Sequence, residues 1–152
     1  MANPASVLYV ELVMSIDRIG DAARAAGPRA AGAWPPAVVV AHLGDVDEQV
    51  WHARIDEMVA AYDAGTVEPR FANWEPDPVA TYEHYRDWTV DDAVARAMAA
   101  RISFVTRLRE LTPEQYAGIR GHHEVFGEMD TQAVVMAVLA HDEEHRGSLV
   151  LG

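Results

Sequence analysis

Two histidines four residues apart, His141 and His145, have the spacing in this chain that most clearly predicts chemistry. Side chains at positions i and i+4 of an α-helix lie on one face, a single turn apart. Two imidazoles placed in this way can bind one transition-metal ion through two nitrogen atoms. Val134 and Val138 precede the pair at helical spacing, so we expect both imidazoles to point inward. The pair therefore predicts a metal site that needs at least one further ligand.

A third ligand must come from the upstream part of the chain, because only seven residues follow His145. His42 is the best candidate, at the edge of an apolar helical stripe. Three neutral imidazoles leave a divalent ion its charge and at least one open position. Zinc and nickel both suit such ligands, and the sequence does not choose between them. The sequence thus predicts a three-histidine site made by His42, His141 and His145.

The surroundings of His42 suggest the wall of a substrate pocket. Trp34 precedes the same helix, at the same end as His42, and a lid over the core is the alternative to a substrate contact for this residue. Asp45 and Gln49 follow His42 on its face, where they could contact a ligand or water. A partly exposed polar edge is the alternative for these two residues.

The acidic residues between the paired histidines allow a second interpretation. His-Asp-x-x-His differs by one methylene from the His-Glu-x-x-His helix of zinc peptidases, in which the carboxylate is the base. That arrangement commonly takes its further ligand from a downstream element, and little chain remains here. We therefore expect Asp142, Glu143 and Glu144 to form a solvated acidic face, with at most one of them orienting an imidazole.

The other histidines are weaker candidates. We expect His52 to be exposed, and His122 and His123 to lie at the end of the protein opposite the site. His84 lies in a long connection and could line the pocket.

Apolar periodicity and capping residues predict an all-α protein with four main helices. The first is capped by Asn3, begins at Pro4 and ends before Gly27, and the second runs from about Trp34 to Ala64. The third is capped by Thr89 and continues through Leu111, and the fourth runs from Asp130 or Thr131 to the end. Residues 65–88 form a long connection with a short helix around 79–87, and Thr112 opens another short turn. Glycines 118, 121 and 127 mark an irregular stretch, and no segment has a strand signal.

The lengths of the connections predict how the helices are arranged. A short link makes the first two helices antiparallel neighbours. The long link after the second helix can cross the whole bundle, so the third helix can run parallel to the second. The result is an up-down-down-up four-helix bundle. It brings His42 to the same end as His141 and His145, whereas an up-down-up-down order would separate them by the length of the bundle.

Composition limits the class of protein. The length of 152 residues fits one domain, residues 1–152, with its own core. A net charge of −12 argues against nucleic acid or an anionic membrane as a partner. The chain has no cysteine, which excludes disulfides, thiolate ligands and a cysteine nucleophile. The N-terminal residues lack the basic and apolar regions of a signal peptide, so we expect a cytoplasmic protein. The expected partner is a small-molecule substrate.

The residues of two segments resemble the DinB/YfiT-like family of small four-helix bundles. These segments are Trp34 with Ala41-His42-Leu43, and the C-terminal run from Gly127 to Leu149, which closes with His-x-x-x-His-Arg-Gly-x-Leu. The resemblance covers nearly the whole chain. It implies that His42, His141 and His145 are the metal ligands.

The resemblance also implies a range of activities. Some members are thiol-dependent transferases or isomerases that use mycothiol, bacillithiol or glutathione, and others resemble metal-dependent hydrolases. It further implies a homodimer, for which Ile102 and Val105 offer an apolar helix face. No catalytic side chain is identified beyond the metal ligands. A non-catalytic binding or stress-response protein, with a structural metal or an empty pocket, is the alternative function.

Overall fold

The computed structural model describes residues 6–152, most of which are helical. The helices are α1 (Ser6–Ala25), α2 (Pro36–Val46), α3 (Ala53–Ala64), α4 (Pro78–Tyr85), α5 (Val90–Glu110), α6 (Pro113–Gly118) and α7 (Thr131–Leu151). A π-helical segment, Asp47–His52, joins α2 to α3, and the short strands are β1 (Arg70–Phe71), β2 (Gly121–His123) and β3 (Gly127–Met129). The prediction of a mainly helical protein is confirmed. The predicted cap Asn3 and the following Pro4 lie outside the described residues.

The second predicted helix is one continuous helical stretch from Pro36 to Ala64. Pro36 occupies the first helical position, where its missing N–H leaves no hydrogen bond unmade. Gly65 ends the stretch with a φ of 65°, a left-handed conformation that glycine adopts without strain. The π-helical segment was not predicted. Its wider turn shifts the faces of the residues that follow it relative to α2.

Capping residues confirm the predicted starts of the later helices. The Thr89 hydroxyl accepts a hydrogen bond from the N–H of Asp92 at 3.1 Å. The Asp130 carboxylate accepts one from the N–H of Ala133 at 2.8 Å. Both are side-chain N-caps, which satisfy a backbone donor that the helix itself leaves unpaired. The turn predicted at Thr112 is α6, which begins with a capping box.

The expectation that the chain has no strand was wrong. β1 pairs in parallel with β2, and β2 pairs antiparallel with β3. Strands of two or three residues are too short to give the alternating pattern by which a strand is recognised in a sequence. Their pairing packs the long connection before α4 against the body of the protein, with Phe71 and His123 buried.

Polar contacts between helices define which helices are neighbours. They join Tyr9 to Leu108 and Arg24 to Asp91 between α1 and α5, Asp47 to Arg101 and Asp56 to Arg107 between the second helical stretch and α5, and Ser15 to Asp142 between α1 and α7. Buried apolar side chains fill the space between these helices in two clusters, one around Phe104 and Ile55 and the other around Ile16 and Leu43. Over residues 6–152, no helix is both long enough and apolar enough to cross a bilayer.

Candidate metal centre

Helices α2 and α7 bring the three predicted ligands together. One ring nitrogen from each of His42, His141 and His145 lies within 4.8 Å of the others. Nε2 of His145 is 3.0 Å from Nε2 of His141, and the centroid of the His42 ring is 5.6 Å and 5.3 Å from those of His141 and His145. Bonds of about 2.0–2.1 Å at tetrahedral angles put two ligand nitrogens about 3.4 Å apart. The three side chains could therefore share one ion after small rotations.

Two tryptophans enclose His42, which is 4% exposed. The Trp74 ring stacks on the His42 ring, with 6.2 Å between centroids and 17° between planes. The Trp34 ring meets the imidazole at an angle of 63°, with a centroid distance of 5.1 Å. The Trp34 indole N–H donates to the carbonyl of Pro78 at 3.1 Å, which holds this ring against α4. These aromatic rings shield His42 from water.

Burial keeps the three imidazoles neutral. Loss of hydration, with smaller effects of His145 and His141, lowers the pKa of His42 to about 3. Burial and the neighbouring His141 lower the pKa of His145 to about 4, and burial also lowers the pKa of His141. Metal ions bind the neutral form of histidine. All three side chains are therefore in their ligating form at neutral pH.

The chemistry of the site fits a divalent transition metal. Nδ1 of His42 is buried, and none of the described residues forms a hydrogen bond with it. A buried polar atom without a partner costs about 1–3 kcal/mol. Coordination of an ion by Nδ1 itself, or a hydrogen bond between Nδ1 and water, would remove that cost. Three imidazoles are ligands that zinc and nickel both accept.

Two clefts adjoin His42, and both are bordered by Trp74 and Pro76. The first, which we call the histidine cleft, has a volume of about 320 Å³ and is also bordered by His141. The second, which we call the α4 cleft, also has a volume of about 320 Å³ and reaches Tyr85 at the end of α4. A small molecule could therefore reach the histidines from either cleft.

The predicted pocket residues do not all lie in one cleft. Asp45 and Gln49 line the α4 cleft together with His42. Trp34 contacts the His42 ring but borders a separate depression beside Tyr82. His84 also lines the α4 cleft.

Asp45 is already engaged by neighbouring side chains. Its carboxylate accepts hydrogen bonds from the Tyr85 hydroxyl at 2.6 Å and from Arg96 at 3.2 Å. Burial, followed by the hydrogen bond to Asp45, raises the pKa of Tyr85. This network fixes one wall of the α4 cleft.

The prediction that Asp142 lies on a solvated acidic face was wrong, whereas Glu143 and Glu144 are exposed as expected. Asp142 is 1% exposed and forms an ion pair with Arg101, which itself has no exposed surface. Arg101 also pairs with Asp47 in the π-helical segment. Burial alone would lower the pKa of Arg101, but its two carboxylate partners raise it above the ordinary value. This buried triad joins α5, α7 and the second helical stretch beside the histidines.

The Asp47–Arg101–Asp142 triad was missed because no local pattern distinguishes a buried charge from an exposed one. Arg101 lies at helical spacing from Ala97, Phe104 and Leu108, all buried. The sequence did contain one signal for the triad, because Arg101 is a charged residue on an otherwise apolar helix face.

The expectation that His123 lies far from the histidine pair was also wrong. His123 is 4% exposed and lines the histidine cleft with His42 and His141. The cause is the pairing of β2 with β1. Trp74, which stacks on His42, follows β1 by only a few residues, so the pairing places His123 near His42. The neighbouring His122 instead pairs with Glu68 at 2.9 Å. His52, expected to be exposed, is half-buried.

These features define a helical protein with three convergent imidazoles beside an open cleft. The family model of the DinB superfamily matches residues 11–149. The chain therefore belongs to the DinB superfamily. Among curated proteins, no sequence matches the chain.

Proposed function

We propose that this protein binds a divalent metal ion through His42, His141 and His145 and acts as a metal-dependent enzyme on a small molecule. The observation that carries the proposal is the meeting of three neutral imidazoles from two distant segments, two of which, His42 and His141, line one cleft. When bound, the ion would act as a Lewis acid and lower the pKa of a water or thiol that it binds. Membership of the superfamily supports the assignment of the three ligands.

The protein's own residues would supply position and environment. The two helices fix the ligands, and the rings of Trp34 and Trp74 keep water away from one side of His42. The clefts leave room for a substrate next to the histidines. An enclosed structural site would have no need of such access, which favours a site that binds a small molecule over a purely structural metal.

Two reaction classes remain within this proposal. One is thiol-dependent transfer or isomerisation with an external thiol such as mycothiol, bacillithiol or glutathione. The absence of cysteine from the chain suits this class, because no protein thiol competes for the ion. The other is hydrolysis. Zinc and nickel are the candidate metals for both.

We infer an up-down-down-up order for the four long helical stretches. Contacts between α1 and α5 pair early residues with late ones, as in Tyr9 with Leu108. In contacts between the second stretch and α5, the residue numbers of both partners instead increase together, from Asp47 with Arg101 to Asp56 with Arg107. This pattern supports antiparallel packing in the first pair and parallel packing in the second.

Metal content of purified variants tests the site. We expect wild type to bind about one zinc or nickel ion per chain, and His42→Ala, His141→Ala and His145→Ala each to weaken binding at least 100-fold. His122→Ala is the matched control, because His122 is a partly exposed histidine on β2. Binding by all three variants that equals wild type would refute the site.

Activity assays then separate catalysis from a structural role. Thiol transfer and ester hydrolysis are measured on the metal-loaded protein with and without chelator. Turnover that disappears with the metal supports the enzyme. Large loss of thermal stability on chelation, with no turnover against either substrate class, supports the structural alternative.

A homodimer is proposed from the superfamily resemblance. Val10, Met14 and Ile102 are apolar side chains that are 61%, 44% and 51% exposed. Val105 is only 8% exposed and borders the groove between α1 and α5. Light scattering on wild type and Ile102→Glu tests this face, since a dimer formed there should dissociate in the variant.

The cytoplasmic location stays a prediction.

A further inference from the structure

The histidine cleft contains a buried arginine, Arg54, that forms no ion pair with any carboxylate of the part of the chain that the structure describes, although the charge of Glu57 acts on it from further away. Arg101 and Arg54 are the two arginines of the described residues that are buried, at 0% and 9% exposure. Arg101 is neutralised by two carboxylates, whereas no carboxylate of residues 6–152 forms an ion pair with Arg54. A buried charge is stable only when it is paired or well hydrogen-bonded. Arg54 therefore carries a positive charge that no carboxylate among the described residues balances by direct contact.

The Arg54 guanidinium is held in a fixed position. It lies over the rings of Trp51 and Phe71, with 5.1 Å to each centroid. One terminal nitrogen donates to the carbonyl of Ala72 at 2.7 Å. Stacking on aromatic faces and one hydrogen bond restrict the side chain but leave further N–H donors available. Such a pre-organised planar fork is suited to bind a carboxylate.

His123 supplies a second donor in the same cleft. Its Nδ1 accepts hydrogen bonds from the backbone N–H groups of Val125 at 3.0 Å and Phe126 at 3.2 Å. Nδ1 must therefore carry a lone pair, and in the neutral ring the proton is on Nε2. Burial and the charge of Arg54 lower the pKa of His123, which favours this neutral form. His123 thus offers a fixed Nε2–H donor.

The remaining walls of the histidine cleft define the shape of its ligand. Arg54, His123 and the exposed Asn73 line the same cleft as the metal-site residues His42 and His141. Its other walls are mainly apolar: Val46, Val50, Trp51, Trp74, Pro76, Phe126, Ala137 and Ala140. Glu144 is the one carboxylate in this lining, and it is exposed. A volume of about 320 Å³ is at the lower end for small-molecule sites.

We propose that Arg54 and His123 form a carboxylate-binding subsite of the histidine cleft, and that the substrate is a small carboxylate with an apolar body. This inference rests on the proposed function, because it assumes that the substrate reaches the three-histidine site through this cleft. The carboxylate lies on the guanidinium and the Nε2–H, and the apolar part of the substrate contacts the cleft walls. Arg54 is then a specificity-determining residue.

Binding of benzoate and of its neutral analogue benzamide, followed by nuclear magnetic resonance, tests the proposal. Both probes are titrated into metal-free and zinc-loaded protein. We expect benzoate to bind at least tenfold more tightly than benzamide in both forms, and to shift the signals of the Arg54 side chain and the His123 Nε2–H. Equal affinities, or benzoate shifts confined to residues outside the histidine cleft, would overturn it.

Variants isolate the contribution of Arg54. Arg54→Gln is expected to weaken benzoate binding at least tenfold and to leave benzamide binding within twofold. Arg70→Gln is the matched control, because Arg70 is an exposed arginine of the nearby strand β1, and it should change neither affinity by more than twofold. Arg54→Lys retains the charge, so it should keep part of the wild-type affinity for benzoate. This variant tests the subsite even if the glutamine variant unfolds.

The outcomes separate this inference from the proposed function. Wild-type benzoate affinity in folded Arg54→Gln overturns the carboxylate subsite while metal binding by the histidines can still stand. Loss of stability in both Arg54 variants without any wild-type preference for benzoate shows a structural role only and also overturns it. Conversely, a benzoate preference in protein that binds no metal would retain the subsite and reject the metal site.

Discussion

Replacing Arg101 by methionine should remove a large part of the stability of this protein. The Arg101 guanidinium is fully buried and donates to Asp47 at 2.6 Å and to Asp142 at 2.7 Å and 2.9 Å. It also donates to the carbonyl of Leu12 at 2.8 Å. Methionine fills much of the same space but provides no donor. Two buried carboxylates would then face each other without a cation.

The expected cost at neutral pH is about 3–5 kcal/mol, the range for removing one partner of a buried ion pair. That is a large share of the roughly 5–15 kcal/mol by which a domain is stable. Arg107→Met is the matched control in the same helix. Its ion pair with Asp56 is partly exposed, at 26% and 52%, so the expected loss is at most about 1 kcal/mol.

Urea denaturation followed by circular dichroism at pH 7 measures both losses. The deficit of Arg101→Met should also shrink at lower pH. Burial already raises the pKa of Asp47 although the charge of Arg101 opposes that rise, and without Arg101 it must rise further. As the pH falls below this raised folded-state pKa the buried carboxyl becomes neutral, so the cost of burying its charge shrinks, and it disappears once the pH is also below the ordinary pKa of the unfolded chain. Equal losses for the two variants at pH 7, or a deficit for Arg101→Met that grows with acid, would refute this reasoning.

Three further predictions concern the site and the packing around it. First, the metal-free protein should lose about 4–5 kcal/mol between pH 7 and 4.5, because the unfolded chain takes up a proton at each histidine near pH 6.5 whereas His42 and His145 have folded-state pKa values of about 3 and about 4. Urea titrations at the two pH values measure this loss, and no change would contradict it. Second, cobalt bound at the site should quench tryptophan fluorescence, because the rings of Trp34 and Trp74 are 5.1 Å and 6.2 Å from the His42 ring. A variant with both tryptophans changed to phenylalanine should lose at least half of the quenching. Third, Gly121→Ala should lower the free energy of unfolding by about 1–3 kcal/mol, because the new Cβ would lie 2.5 Å from the ring of Phe71 in β1. Gly147→Ala, in the interior of α7 and with nothing within 4 Å of the new Cβ, should instead raise it by about 0.5–1 kcal/mol. Thermal melts that rank the two variants in the opposite order would contradict the packing.

Local signals were sufficient to predict the main helices. Thr89 and Asp130 cap their helices, and Gly65 ends one, because capping depends on residues within a single turn. The spacing of His141 and His145 was likewise visible in the chain, since the repeat of an α-helix fixes which side chains share a face. The short strands gave no such signal, because two or three residues contain too little alternation.

The burial of charge could not be read in the same way. Asp142 stands between histidines and glutamates in the sequence, where it resembles an exposed acidic residue. Its partner Arg101 is 41 residues away along the chain. Whether a carboxylate faces water or a guanidinium is decided by helix packing. The same holds for His123, whose position depends on the pairing of β2 with β1.

The amino-acid sequence by itself determined the helical class, the starts of the main helices and the pairing of His141 with His145, because these follow from periodicity and capping over short distances. His42 was added as a candidate ligand from the order of helices that the connection lengths predict. The tertiary structure decided that the Nδ1 of His42 is buried without a hydrogen-bond partner among residues 6–152, that Asp142 is neutralised by Arg101, and that Arg54 and His123 line the same cleft as His42 and His141. Burial and electrostatic pairing are properties of segments packed side by side, so they exist only once the chain has folded.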